Sequence, residues 1–213
     1  MHIPDGFLPA SVCAAGYAAV VPVTLYSLRK INQKENPRED IPKASILTAA
    51  FFVVSWIHIP IPPASVHLVL NGLLGAVLGY FAFPAILIGL FFQAVMFQHG
   101  GLTTLGVNAL IMGLPAFISY FIFRVRNVLS RDSRVMTGVF GFLAGFAGLG
   151  LSVALFVVIL LNFIPAGFDA ETERVAVYAL GIAYLPLMAL EGVFTALVAV
   201  FLRRVRPKLL ESV

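Results

Sequence analysis

The sequence predicts an all-α fold: one polytopic transmembrane helical bundle of about seven spans, six being the competing count, with the N-terminus outside and the C-terminus cytoplasmic. Three observations predict it. Hydrophobic residues make up 60% of the 213 and charged residues only 11%, whereas a soluble domain carries about 25% charged residues. The apolar residues come in long blocks, several of which meet or approach the about 20 residues that cross a ~30 Å hydrocarbon core as a helix. Lysine and arginine gather in alternate loops. No hydrophilic block is long enough for a separate soluble domain, so residues 1–213 are read as a single membrane domain.

The apolar segments run roughly over 9–28, 44–58, 66–81, 83–98, 105–124, 136–163 and 175–202. The third and fourth are short, parted only by a turn around Phe83-Pro84, and are expected to be tilted or partly re-entrant. Proline lacks a backbone donor, so Pro84 suits a helix start, while Pro115 and Pro186 are expected to kink the helices they interrupt. Arg29, Lys30, Lys34, Arg38 and Lys43 follow segment 1, Arg124, Arg126, Arg131 and Arg134 follow segment 5, and Arg203, Arg204, Arg206 and Lys208 close the chain. The opposite side receives only Arg174. Basic loops stay in the cytoplasm, which puts the N-terminus and loops 58–65, 98–104 and 164–174 outside. The net charge of +4 is thus accounted for by topology rather than by nucleic acid. Gly75 with Gly79, and Gly141 with Gly145, are small-xxx-small pairs that let helices approach closely. No internal repeat of the kind found in inverted-repeat transporters is evident.

A lone cysteine, Cys13, excludes an intramolecular disulfide and any multi-cysteine metal site. Residues 1–8 carry no Lys or Arg, so no cleaved leader is expected; Met1 is expected to stay, because His2 is not small. All four histidines, His2, His58, His67 and His99, fall near the outer ends of segments in this topology.

The most informative stretch is Met1-His2-Ile3-Pro4-Asp5-Gly6-Phe7. A free terminal amine, the amide nitrogen of residue 2 and a ring nitrogen of His2 can chelate one ion through a five- and a six-membered ring, once the amide is deprotonated. A fourth nitrogen from another histidine would complete a square plane, a geometry diagnostic of Ni(II) or Cu(II). Taken alone, Met1 and His2 are as well read as an ordinary chain start and a surface histidine. Pro4 and the Asp5-Gly6 turn make the terminus fold back, with Phe7 and Leu8 as anchors. Asp5 either orients the His2 ring as an acceptor or serves the turn. His67 lies one turn inside an apolar segment, where an unpaired imidazole is costly. The Gly- and Thr-rich stretch from Gln98 to Asn108 needs protein or a wet cavity around it if it dips into the membrane.

MHIPDGFL at the N-terminus, SVHLVLNGLLG around His67 and FQHGGLTTLGVNALIMGLPA after segment 4 resemble the M (substrate-binding, S-type) component of nickel and cobalt energy-coupling factor transporters, the NikM/CbiM family. The resemblance implies that the Met1 amine, the His2 amide and ring, and His67 form a planar four-nitrogen site for Ni(II) or Co(II) as transported substrate. It also implies a transmembrane coupling (T) component, two cytoplasmic ATPase subunits and a small N component as partners, in a bacterial or archaeal cell membrane. Cobalt uptake for cobalamin synthesis is the alternative to nickel. Such ligands bind deprotonated, so affinity is expected to fall as pH drops through the histidine range, near pH 6.5.

The other candidates are polar residues near this site. Glu191 lies within the last span, where a carboxylate costs about 2.5–3.5 kcal/mol on insertion scales, and so needs a partner on another helix or subunit. His99 is a ligand on the ion's way in, a neighbour of the site, or a satisfied loop histidine; His58 reads as interfacial. Ser65, Asn71, Gln93, Thr103, Thr104 and Asn108 are polar neighbours of the site, with caps and interhelical hydrogen bonds as the alternative. No H-E-x-x-H pair supports an intramembrane metalloenzyme, and no Walker sequence is present. The chain is therefore expected to be no enzyme, and it lacks the rows of intramembrane charges expected of a stand-alone permease.

Overall fold

The structure, a computed structural model, describes residues 1–61, 64–130, 133–165 and 169–211, with the backbone alone at 58–61, 64–65, 130 and 211. The side-chain expectations for His58 and Ser65 therefore lie outside the described residues. Seven longer helices follow the seven apolar segments in order: α1 Ala10–Asn32, α2 Ile41–Val54, α3 Asn71–Leu78, α4 Ala82–Phe97, α5 Leu105–Ser130, α6 Arg134–Asn162 and α7 Ala170–Val205. A short α8, Lys208–Glu211, ends the chain. Among the described residues, five stretches suffice by length and composition to cross a membrane: 10–32, 71–97, 105–129, 134–162 and 170–205. Their outer faces are apolar, as lipid requires, with Leu25, Ile88, Met96, Ile118, Leu143, Ile182 and Leu197 all exposed. Pro115 and Pro186 lie inside helices that continue through them.

The fold is all-helical as expected, apart from one short extended element. β1, His58–Ile61, and β2, Ala64–His67, form an antiparallel hairpin with His58 opposite His67. Pro60, Pro62 and Pro63 forbid helix here, and the β-branched Ile59, Ile61 and Val66 suit extended backbone.

Stretch 71–97 is not a single rod. Asn71 meets Met112 of α5, and a Cβ on Gly75 would touch Ala116 one turn further along. α3 therefore runs down α5. Phe83 then stacks on Phe117 at 5.7 Å, and Gln93 returns to the level of His2, so α4 climbs back. The turn is a 3-10 segment, Gly79–Phe81, in which Gly79 has φ +57°. The reversal thus falls four residues before the expected Phe83-Pro84 turn, at the residue without a Cβ to oppose a positive φ. Gly79 is a turn residue rather than a packing one, and Pro84 is the third residue of α4.

Close packing surrounds α3, whose eight residues are all buried. The Asn71 amide nitrogen reaches the carbonyls of Met112 and Gly148, both at 3.1 Å, and Ser152 Oγ at 2.7 Å. Of its two readings, neighbour of the site or interhelical hydrogen bonding, Asn71 makes the second: it ties α3 to α5 and α6. Gly141 and Gly145 do mark a helix contact, since an added Cβ on Gly145 would lie 2.6 Å from the Glu191 carbonyl on α7. At the opposite end of the bundle Arg126 donates to the Leu210 carbonyl at 3.2 Å and Lys43 to that of Leu209 at 3.1 Å.

Candidate metal centre

The first eight residues fold into the bundle, with Met1, Ile3 and Leu8 buried. Their backbone is fastened by side chains from the start of α5. Asn108 accepts the Ile3 N–H at 2.9 Å and donates to the Ile3 carbonyl at 3.0 Å, and the Thr104 hydroxyl donates to that carbonyl at 2.6 Å. Asp5 does not serve the His2 ring. Its carboxylate accepts the N–H groups of Leu102 at 3.2 Å and Thr103 at 2.8 Å, and the Thr103 hydroxyl. Those donors hold its pKa below the usual value, the Thr103 hydroxyl most of all. The loop lies so close that a Cβ on Gly101 would clash with Asp5 Oδ1.

This clamp delivers the terminal amine to His67. The Met1 nitrogen stands 2.9 Å from His67 Nε2 and 3.2 Å from the Tyr184 hydroxyl of α7. His67 Nδ1 lies 3.0 Å from the Leu68 carbonyl. A carbonyl only accepts, so Nδ1 carries the proton and Nε2 turns its lone pair to the amine. Gln93 fixes His2 in the complementary tautomer. Its amide nitrogen donates to Ser55 Oγ at 2.6 Å, and Ser55 donates onward to the Phe52 carbonyl at 2.9 Å. Gln93 Oε1 is then the acceptor facing His2 Nε2 at 2.9 Å, which leaves His2 Nδ1 unprotonated. That atom is buried and has no hydrogen-bond partner among the described residues.

Three nitrogen lone pairs therefore gather at the buried N-terminus. Desolvation lowers the Met1 amine to a pKa of about 5. It also lowers His2 well below 6.5, helped by repulsion from the amine, His99 and His67 and opposed by the Gln93 hydrogen bond. Both groups are neutral at pH 7, the state in which nitrogen binds metal. Two cis ligands each about 2.0–2.1 Å from an ion are roughly 2.9 Å apart, and the Met1–His67 separation matches. His99 joins them: one ligand atom each from His2, His67 and His99 lie within 4.8 Å of one another.

Glu191 is buried, and its partner is backbone. It accepts from the N–H groups of Val69 and of Leu70, the latter at 3.1 Å. Leu70 has φ +58°, and Glu191 holds this left-handed corner between His67 and α3. Tyr184 and Ser55 belong to the site although nothing singled them out in sequence. Each is a lone polar side chain in an apolar run, and only the two-turn spacing of Tyr184 from Glu191 on α7 hinted at a shared face.

Comparison with known proteins identifies the family. The chain is 33% identical over 229 residues to "Cobalt transport protein CbiM" of Sorangium cellulosum, covering 99% of this chain and 95% of that one. It is 32% identical over 228 residues to "Fused nickel transport protein NikMN" of Rhodobacter capsulatus, covering 99% of this chain and 64% of that longer one. Among solved structures, that of a truncated transition metal transporter superimposes with a TM-score of 0.75 at 27% identity, covering 96% of this chain and 99% of that chain. Residues 2–209 match the model of the cobalt uptake substrate-specific transmembrane region. With a bundle of that shape and three histidines gathered at the buried N-terminus, the chain belongs to the CbiM family of cobalt uptake transmembrane components.

Proposed function

We propose that this chain is the substrate-binding membrane subunit of an ATP-driven energy-coupling factor transporter that takes up Ni(II) or Co(II). The ion is held by the Met1 amine, the deprotonated His2 amide, His2 Nδ1 and His67 Nε2. The observation that carries the reading is the 2.9 Å approach of the buried Met1 amine to His67 Nε2, beside the buried lone pair of His2 Nδ1. An ion arriving from outside exchanges its water for these nitrogens, and the only proton to leave is the His2 amide proton. Gln93 and Ser55 keep Nδ1 free for it, and Tyr184 steadies the amine.

Seven membrane crossings, with the N-terminus outside and the C-terminus cytoplasmic, suit the Lys and Arg distribution and the reversal between α3 and α4. The chain carries no Walker sequence, so ATP hydrolysis falls to partner subunits: a transmembrane coupling component and two ATPases, with a small N component. A planar nitrogen set favours Ni(II); the printed names of the relatives include both nickel and cobalt.

One experiment tests the ligand set. Protein with its native N-terminus and protein whose Met1 amine is acetylated are each titrated with Ni(II). Acetylation leaves every side chain in place and removes the amine from the chelate. Native protein is expected to bind one equivalent tightly and the acetylated form is not; equal binding sinks the proposal.

A further inference from the structure

The basic end of the bundle carries a cluster that has no part in the nitrogen site at the N-terminus. Tyr80 sits in the Gly79–Phe81 turn between α3 and α4, and the Ser27 hydroxyl of α1 donates to its carbonyl. Its ring lies between α1 and α5. It meets Tyr26 edge-on, with centroids 6.0 Å apart at 77°, and Tyr120 at 5.1 Å and 61°. Beyond Tyr26 stands Lys30, its Nζ 5.9 Å from the Tyr26 ring centre. Beyond Tyr120 stands Arg124, whose guanidinium is 5.9 Å from that ring centre and donates to the Tyr120 hydroxyl at 3.2 Å. Three phenols thus run between two cations, each cation held over a ring.

Hydrogen-bond counting shows what this row lacks. Tyr80 is the side-chain hydrogen-bond partner of both Tyr26 and Tyr120. Three hydroxyl protons share two hydroxyl–hydroxyl contacts, so at least one proton points out of the row. Lys30 and Arg124 are donors only. Neither forms an ion pair with a carboxylate among the described residues, whereas Lys34 and Lys43 at the same end share Asp40. The cluster therefore holds surplus donors and two positive charges, with no anion to receive them. Tyrosines beside lysine or arginine anchor many helices at a membrane surface without a ligand. Here α1, α5 and the turn bring five such groups into one run, and Tyr120 within it is buried.

We propose that this cluster binds the phosphate of an anionic phospholipid in the leaflet at the basic end of the bundle. Phosphate supplies what the row lacks: negative charge, and several acceptor oxygens for N–H groups from both flanks and for the spare phenol proton. A lipid is favoured over free phosphate by the apolar surface around the cluster. Leu25 beside Tyr26, and Ile118 and Phe121 around Tyr120, are all exposed and offer a seat for acyl chains. A choline headgroup is disfavoured, because its own cation would face two more. The bridge has a structural consequence. α1 buries only Cys13, Gly16, Val20, Ser27 and Ile31 along its 23 residues, so a headgroup held by Lys30 and Arg124 together adds a tie between a loosely packed helix and α5.

The test titrates delipidated protein in a neutral detergent with dioleoylphosphatidylglycerol, dioleoylphosphatidylcholine or inorganic phosphate, read by thermal unfolding and native mass spectrometry. Phosphatidylglycerol is expected to raise the melting temperature and to persist as a single adduct; phosphatidylcholine and inorganic phosphate are expected to do neither. The double variant Lys30→Gln/Arg124→Gln is expected to bind phosphatidylglycerol about 30-fold more weakly, a little over fivefold for each cation. Arg204→Gln/Arg206→Gln, which removes two exposed cations from the same end, is expected to bind it as unmodified protein does. Tyr80→Phe keeps the ring, removes the central hydroxyl and is expected to fall between them. Equal response to the two lipids overturns the proposal, as does equal loss in the two double variants. A full response to inorganic phosphate alone overturns it too, since the ligand is then a free anion. Should Lys30→Gln/Arg124→Gln not fold, Tyr80→Phe and the comparison of the two lipids on unmodified protein decide.

Discussion

Glu191, in the middle of the longest helix, accepts the backbone N–H groups of Val69 and Leu70, two and three residues beyond the histidine that faces the chain's own amine. A buried carboxylate thus fixes a left-handed corner of backbone with no side chain from that segment involved. Replacing it by alanine leaves two buried donors without an acceptor, at about 1–3 kcal/mol each. Glu191→Ala is therefore expected to lower the unfolding temperature in detergent and to weaken Ni(II) binding by letting His67 drift. Glu191→Gln, which keeps one acceptor oxygen, should recover part of both. Unchanged melting in Glu191→Ala would refute this account.

Gln93 sets the tautomer of His2 from outside the ligand set. Gln93→Leu keeps the volume of the side chain but removes the acceptor at Nε2, so the ring proton is free to occupy Nδ1. Metal affinity is expected to drop about 10- to 100-fold, the usual cost of losing a partner that orients a ligand, with melting nearly unchanged. Calorimetric titration measures the first and thermal unfolding the second.

The clamp between Asp5 and the loop makes a prediction about coupling. Gly101→Ala places a methyl group against Asp5 Oδ1 and is expected to weaken Ni(II) binding by freeing the N-terminal segment. The side chain it displaces is the one whose hydrogen bonds are lost in Asp5→Ala. The double variant is therefore expected to bind no worse than Asp5→Ala alone, because contacting residues do not add. Additive losses would show that the two act separately.

Burial changes the expected pH response. The histidine range suggested a loss of affinity near pH 6.5, but the amine is lowered to about 5 by desolvation and His2 is lowered as well. Protons compete with the metal only once these folded-state groups titrate, so Ni(II) affinity, corrected for the amide proton, should hold from pH 7 to near 6 and fall around and below 5. Stability of the metal-free protein follows the other end of the shift. Between the unfolded amine value of 8.0 and the folded value of about 5 the unfolded chain holds the extra proton. The amine's contribution is thus full above pH 8 and is lost as pH falls toward 5. Melting of metal-free protein from pH 8.5 to 5.5 checks this, with a flat profile counting against the buried amine.

Much of this was legible before any coordinates. Hydropathy located seven helices because each apolar run maps to one; Met1 and His2 offered a chelate by covalent spacing, whereas His67 entered the ligand set only through the resemblance of SVHLVLNGLLG to the NikM/CbiM family. The helical hairpin was only half visible: residues 66–98 are apolar almost throughout, and hydropathy carries no sign of direction, so the reversal fell to Gly79 rather than to Pro84. Asp5 and Asn71 were each left with two readings for one reason. Both lie beside chelating residues or motifs in the chain, yet a short side chain is aimed by its backbone, and theirs face the 101–103 loop and the α5–α6 seam. Ser55 and Tyr184 were invisible because their partners lie 38 and 183 residues away.

Tyr184 and Glu191 stand seven residues apart on α7, two helical turns within about 20°, so both project from one side of a single rod roughly 54 Å long at 1.5 Å per residue over its 36 residues. One of them steadies the amine and the other the corner behind His67. The two halves of the nitrogen cradle are thus mounted on a common shaft. Any twist or slide of that shaft, including one applied at its basic far end, displaces both halves at once, whereas local breathing of either loop leaves the other half in place. On the proposed function, grip and release of the ion belong to one helix rather than to the two loops that touch it.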